Sequence, residues 1–140
     1  MSANVGVNHA DYAALADFRH KLRSFLHFSS EAAQEAGLSP SQHQALLAIK
    51  AAPADEPLTI GQLAERLQVR HHSAVGLIDR LAKRRLVKRR TDEEDRRKVH
   101  LVLTTQGETL ISKLSSAHKA ELKIIGPALR DLLETITDDN

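Results

Sequence analysis

The stretch LVKRRTDEEDRRKVHLVLT, Leu86 to Thr104, constrains the fold of this chain more than any other part of its sequence. Val99, Leu101 and Leu103 alternate with Lys98, His100 and Val102, the period of a strand with one buried face. Leu86–Arg90 is short enough to pair with that strand. The charged middle then stands in water as the tip of a hairpin. A solvated loop accounts for some of this charge, but not for basic residues on both strands.

The segments before the hairpin read as helices. Leu15, Phe18, Leu22, Phe25 and Leu26 recur at helical spacing in a first helix from about His9 to Ala36. In GLSPSQ, Gly37 suits the position after a helix, Ser39 an N-cap, Pro40 a first turn, and Gln42 completes a capping box. A second helix, about Pro40 to Ala51, turns Ala45, Leu46 and Ile49 inward. After the loop AAPADEP, Thr59 and Gln62 predict the capped start of a third helix in LTIGQLAERL. A short turn at Gln68–Val69 leads to a fourth, roughly His71 to Arg84. Two short helices joined by so short a turn form a helix-turn-helix unit, and the hairpin follows directly.

Beyond the hairpin, Thr105 with Glu108 reads as another capping box, opening a long helix to about Ile125. Gly126–Pro127 is expected to break it. A last helix then carries Leu129, Leu132, Leu133 and Ile136 before a frayed tail, TDDN. The predicted fold class is mainly α with a small β-hairpin: a winged helix-turn-helix over residues 40–104, in a single domain of residues 1–140. The helices at 9–36 and 105–137 carry more apolar stripe than the centre can cover. Such surplus surface usually marks an interface, and a two-fold homodimer is the commonest solution. The alternative is that these helices fold back on their own chain.

Charge is segregated along the sequence. Thr59 to Leu103 holds twelve Lys/Arg against six Asp/Glu, and the remainder eight against twelve. A basic centre of this kind suits a polyanion. The 140 residues include no cysteine, so disulfides and thiolate chemistry are excluded. No apolar run approaches the roughly 18 residues of a membrane span. The N-terminal MSANVGVNHADYAAL lacks the basic region and apolar block of a signal peptide, so a cytoplasmic protein without membrane association is expected.

In RHHSAVGLIDRLAKR, Ala74, Leu77, Ile78 and Leu81 sit at i, i+3, i+4 and i+7 and form the inward stripe. The opposite face presents His72, Ser73, Val75, Gly76, Asp79, Arg80 and Lys83, a set of donors and acceptors suited to the DNA major groove. Arg70, His71, His72 and Ser73 lie at the N-terminal end, where a recognition helix meets base edges. Gly76 costs about 1 kcal/mol of helix propensity relative to alanine. That cost predicts close approach, by a packed neighbour or, as its place on the polar face favours, by DNA. Adjacent His71 and His72 point about 100° apart on a helix, whereas zinc-binding helices space their histidines i, i+4; no metal site is expected.

A hairpin directly after a recognition helix is a wing, and its tip can reach the neighbouring minor groove, whose negative potential attracts arginine. The candidate wing residues are Arg90, Asp95, Arg96, Arg97 and Lys98, with Lys88 to Arg90 and Lys98 flanking phosphates. Asp95 can pair with Arg97 and hold its guanidinium in one rotamer. Glu93 and Glu94 keep the tip solvated.

These residues resemble the MarR (multiple antibiotic resistance regulator) family of winged-helix repressors, over about Leu15 to Ile136. EDRRKVHLVLTTQG looks like the family's wing signature, GLSPSQHQALLAI and LTIGQLAERLQV like its second and third helices, and LIDRLAKRRLVKR like the end of its recognition helix. The resemblance implies a homodimer joined by the terminal helices on a pseudo-palindromic double-stranded DNA operator. It implies that Asp95 braces Arg97 in the minor groove, and that a small aromatic or anionic effector releases DNA in many members. No cofactor is implied. Two positions depart from the pattern: Arg85 stands where a glycine commonly ends the recognition helix, so either the helix finishes differently or Arg85 is strained. Gly76 replaces a common polar reader.

The sequence therefore reads as a ligand-responsive transcriptional regulator, most often a repressor. The alternative is a winged-helix module that meets an acidic protein partner and has only non-specific DNA affinity. No paired carboxylates, Ser-His-Asp order or phosphate-binding glycine loop supports an enzyme.

Overall fold

The structure is a computed structural model and describes residues 6–138. Its elements run α1 (His9–Glu35), α2 (Pro40–Ala51), α3 (Ile60–Leu67), α4 (His71–Lys83), β1 (Val87–Thr91), β2 (Val99–Leu103) and α5 (Thr105–Thr137). The mainly α fold with one hairpin matches the expectation. The predicted tail TDDN reaches residues 139–140, which lie outside the described residues.

Local hydrogen bonding explains most boundaries. Ser39 accepts from the Gln42 amide and the Gln42 side chain accepts from the Ser39 amide; Thr59 and Gln62 repeat the exchange at α3. Asn8 and Asp11 do the same at the start of α1. Three helices end alike, in Schellman motifs with one left-handed residue: Gly37 (φ 77°), Gln68 (φ 56°) and Arg85 (φ 59°). After α4, the Leu86 amide donates to the Leu81 carbonyl and the Arg85 amide to that of Ala82. Of the two outcomes open for Arg85, the structure takes the strained one. The helix ends as though a glycine were present, and Arg85 carries the left-handed conformation.

The chain divides into two compact units. One is residues 30–116; the other comprises the segments up to Ser29 and from Ala117 onward. In the first, the last turns of α1, helices α2–α4, the hairpin and the first turns of α5 surround one core. Leu46, Leu63, Ile78, Leu81, Val87, Leu101 and Ile111 are its largest fully buried side chains. Truncating one such leucine typically costs about 2–5 kcal/mol. The strands pair antiparallel, with Val87 opposite Leu103, Arg89 opposite Leu101 and Arg90 opposite His100. A third segment extends this small sheet: the Leu101 amide donates to the Leu58 carbonyl, and Thr59 bridges His100.

The expected break at Gly126–Pro127 is absent. Helix α5 continues through Pro127 to Thr137. Glycine lacks the Cβ with which a following proline ring collides, so one of the costs of proline in a helix is removed here, while the lost amide hydrogen bond and the crowding of the carbonyl four residues earlier remain. The expected capping box at Thr105 and Glu108 is also corrected. Thr104 is the N-cap: its hydroxyl accepts from the Gly107 amide and donates to the Arg85 carbonyl, at 3.0 and 2.6 Å. Glu108 instead pairs with Lys50 at 2.7 Å.

In the second unit, Phe25, Phe28 and His118 pack ring against ring, with centroids 5.3–6.5 Å apart. His118 Nε2 lies 2.8 Å from the Ser29 hydroxyl. Tyr12, Leu15, Leu22, Leu26, Leu122, Ile124 and Leu133 are exposed along these helices, Ile124 to 74%. No helix of the described residues is long and apolar enough to cross a membrane.

Candidate nucleic-acid interface

Helix α4 buries Ala74, Leu77, Ile78 and Leu81, the stripe its spacing predicts. That anchoring leaves Arg70, His71, His72, Ser73, Asp79 and Arg80 exposed, and Val75 and Gly76 half-buried. Arg70 is the N-cap residue but its side chain makes no capping bond. The first amides of α4 therefore lack a side-chain acceptor, and a helix end in that state favours an anion. Ser73 and Arg80 come together with Pro40, Gln44, Val69 and Leu77 around a hollow of about 340 Å³. A Cβ built on Gly76 meets no atom within 4 Å. No packed neighbour within the described residues accounts for this glycine.

The hairpin register sorts the basic run. Arg89 shares a face with Leu101, and its guanidinium lies 2.6 Å from Asp79 of α4. Lys88 and Arg90 occupy the other face. The run expected to flank phosphates is thus split by strand alternation, and Arg89 serves to join the wing to α4. Arg84 donates to the Gly37 carbonyl, capping the end of α1.

At the tip, Arg96, Arg97 and Lys98 are exposed and Asp95 is half-buried. Asp95 Oδ1 accepts from both the backbone amide and Nε of Arg97, at 3.1 and 3.2 Å. The expected Asp95–Arg97 pair is present, with the arginine side chain 93% exposed. The loop closes through Asp92 and Lys98, whose backbone amide and carbonyl pair at 3.0 Å.

Two residues of this site were not assigned a role from sequence. Asp92 Oδ1 accepts from the amides of Glu94 and Asp95, at 2.8 and 3.0 Å. Its Oδ2 lies 2.9 Å from His100 Nε2, and His100 Nδ1 lies 3.1 Å from the Pro57 carbonyl. The bond from His100, then the amides of Asp95 and Glu94, lower the Asp92 carboxyl to about 2. The preference of aspartate for turn starts could have flagged Asp92. Nothing local ties His100 to a loop 43 residues earlier. No group of three or more potential metal ligands exists among the described residues, and His71 and His72 are both exposed.

A helix-turn-helix followed by a two-stranded basic hairpin, joined by the Asp79–Arg89 pair, defines a winged helix-turn-helix protein. The comparisons agree with that class and narrow it. The MarR family model matches residues 36–98. An uncharacterized HTH-type transcriptional regulator of Bacillus subtilis, YsmB, is 33% identical over 82 residues, 59% of this chain and 51% of that protein. The HTH-type transcriptional repressor YetL of the same organism is 32% identical over 89 residues, 64% of this chain and 53% of its own. The chain thus spans about half the length of the curated relatives it matches. A mutant of S. aureus MepR bound to an oligodeoxyribonucleotide superposes with a TM-score of 0.69 at 22% identity, covering 83% of this chain and 82% of that one. The winged helix-turn-helix region of this chain is thus similar to the MarR family, whose model spans residues 36–98.

Proposed function

We propose that the protein is a sequence-specific DNA-binding transcriptional regulator, a repressor acting in the cytoplasm as a homodimer on a pseudo-palindromic operator. Arg70, His71, His72, Ser73, Gly76 and Arg80 face the major groove, and Arg90, Asp95, Arg96, Arg97 and Lys98 form the wing contact. Segments 9–36 and 105–137 carry the dimer contact, and a small aromatic or anionic effector modulates binding. The observation that carries the reading is the wing tip. Arg97 stands almost fully exposed while one carboxylate oxygen fixes both its backbone and its side chain. An arginine ordered before binding loses less rotamer entropy when it enters a narrow groove. The exposed apolar residues of the terminal helices support an interface with a second copy, and the two repressor and regulator relatives support the biological role.

The test is selection of bound sequences from a random duplex pool, followed by salt titration of the enriched sequence against scrambled DNA. An inverted repeat with half-sites about one helical turn apart is expected. Binding with no enrichment and only salt-labile affinity would overturn the reading in favour of a protein-interaction module.

A further inference from the structure

The hydrogen bonds at the wing form a continuous chain that begins outside it. The Pro57 carbonyl, in the loop between α2 and α3, faces His100 Nδ1; His100 Nε2 faces Asp92 Oδ2. Asp92 Oδ1 holds the amides of Glu94 and Asp95, and Asp95 Oδ1 holds Arg97. The two interior members are the most sheltered: the side chains of His100 and Asp92 are 15% and 28% exposed, against 93% for Arg97. We infer that His100 and Asp92 are positioning residues for Arg97, and that the loop before α3 sets the wing tip's geometry through them.

Three features support this. First, each ring nitrogen of His100 faces an oxygen that can only accept, so both contacts are hydrogen bonds when the ring carries both N–H groups, and turning the ring then breaks them. Second, the Asp92 carboxylate gathers His100 and two backbone amides, and charge-assisted bonds of this type are the strong ones. Third, His100 sits where β2 bridges Thr59, next to the Leu101–Leu58 backbone bond. The ring is therefore mounted where the sheet meets the helix-turn-helix. A loop tip with two free strands would otherwise move independently of that unit, and Arg97 with it. Bonds of this kind add rigidity when every member is satisfied.

The inference rests on the proposed DNA-binding role for one arm of its test and is independent of it for the other. In the free protein, amide hydrogen exchange of Glu94, Asp95 and Arg97 is compared among wild type, His100→Gln, His100→Asn and Asp92→Ala. Glutamine places its amide nitrogen near the Nε2 position and should retain protection. Asparagine reaches only the Nδ1 position and should lose it, as should Asp92→Ala. Equal protection in all four would overturn the relay. In the DNA arm, His100→Asn should weaken binding to the duplex enriched by the wild type about three- to tenfold, the range of one hydrogen bond. His100→Gln should bind within about twofold of wild type, on the same scale. In an Arg97→Ala background, His100→Asn should have no further effect. An equal loss in that background would show that His100 acts through general stability and would overturn the positioning role. A wild type that enriches no duplex would refute the DNA-binding reading, while the exchange result still decides the relay.

Discussion

One methyl group at position 76 should raise stability and lower DNA affinity together. Gly76 lies six residues into the thirteen-residue α4, with helix on both sides, so replacing it by alanine removes the backbone entropy cost of glycine in a helix interior. That gain is about 0.5–1 kcal/mol. No clash offsets it, because the added Cβ meets no heavy atom within 4 Å. For a chain of this size the gain raises the melting midpoint by about 2–4 °C. Binding should move the other way. A glycine on the polar face, between Ser73 and Arg80, leaves room for a groove edge or backbone, and a methyl there keeps the surfaces apart. A loss of about fivefold, near 1 kcal/mol, is expected. Urea melts followed by circular dichroism give the first quantity, and fluorescence anisotropy with the selected duplex gives the second. A destabilised Gly76→Ala protein would refute the open-space argument. A stabilised protein with unchanged affinity would show that nothing approaches this position on DNA.

The same substitution at Gly107 should have the opposite effect on stability. Its Cβ would fall 2.1 Å from the Leu86 carbonyl oxygen, so Gly107→Ala should lose about 2–4 kcal/mol in a urea melt. Arg97→Ala should weaken operator binding by about 1–3 kcal/mol in anisotropy titrations; equal affinity would remove the wing from the interface. Asp95→Ala should weaken it too, although it deletes a negative charge, and tighter binding would mean that net charge alone governs the tip. Asp92, lowered from 3.8 to about 2 chiefly by His100, contributes order to the wing turn at every pH above its ordinary value. That contribution should fade as pH drops through 3.8 toward 2. Amide exchange at Asp95, corrected for its intrinsic pH dependence, should show this loss in the wild type, while Asp92→Asn stays flat.

What the sequence made legible was local. Ser39 with Gln42, and Thr59 with Gln62, are bonds between residues three apart, and both helix starts were placed correctly from them. The stripe Ala74–Leu81 needed only helical periodicity, and the Asp95–Arg97 pair spans two residues. What escaped was non-local or a balance of opposing terms. Thr104 caps α5 in preference to Thr105 because its hydroxyl also reaches the Arg85 carbonyl, nineteen residues earlier. Gly107 is required by the Leu86 carbonyl, which only the packed hairpin brings near. Gly126–Pro127 combines two signals that each end helices, yet α5 runs through both, the glycine sparing the proline ring its collision with a preceding Cβ. Gln68 and Arg85 accept left-handed conformations that propensity disfavours, because the turns they close hold buried Leu63, Leu81 and Leu86 in place.

The acidic residues of the basic region are the clearest case of placement outweighing count. Six carboxylates lie between Thr59 and Leu103, and three of them hold specific partners: Asp79 takes Arg89, Asp92 takes two amides and His100, and Asp95 takes Arg97. Each orients a cation or a turn that carries one. Glu93 and Glu94 are exposed, their side chains turned to water beside the exposed Arg96. A tip with only basic residues would be more strongly attracted to any phosphate, because that attraction is sequence-independent. It would also spread its arginines over many rotamers and forfeit the fit that distinguishes one groove width from another. Charge and specificity are therefore set by different residues in the same loop. Replacing Asp79, Asp92 or Asp95 with alanine makes the region more positive and its cations less ordered, so the affinity gap between operator and scrambled DNA should narrow in all three.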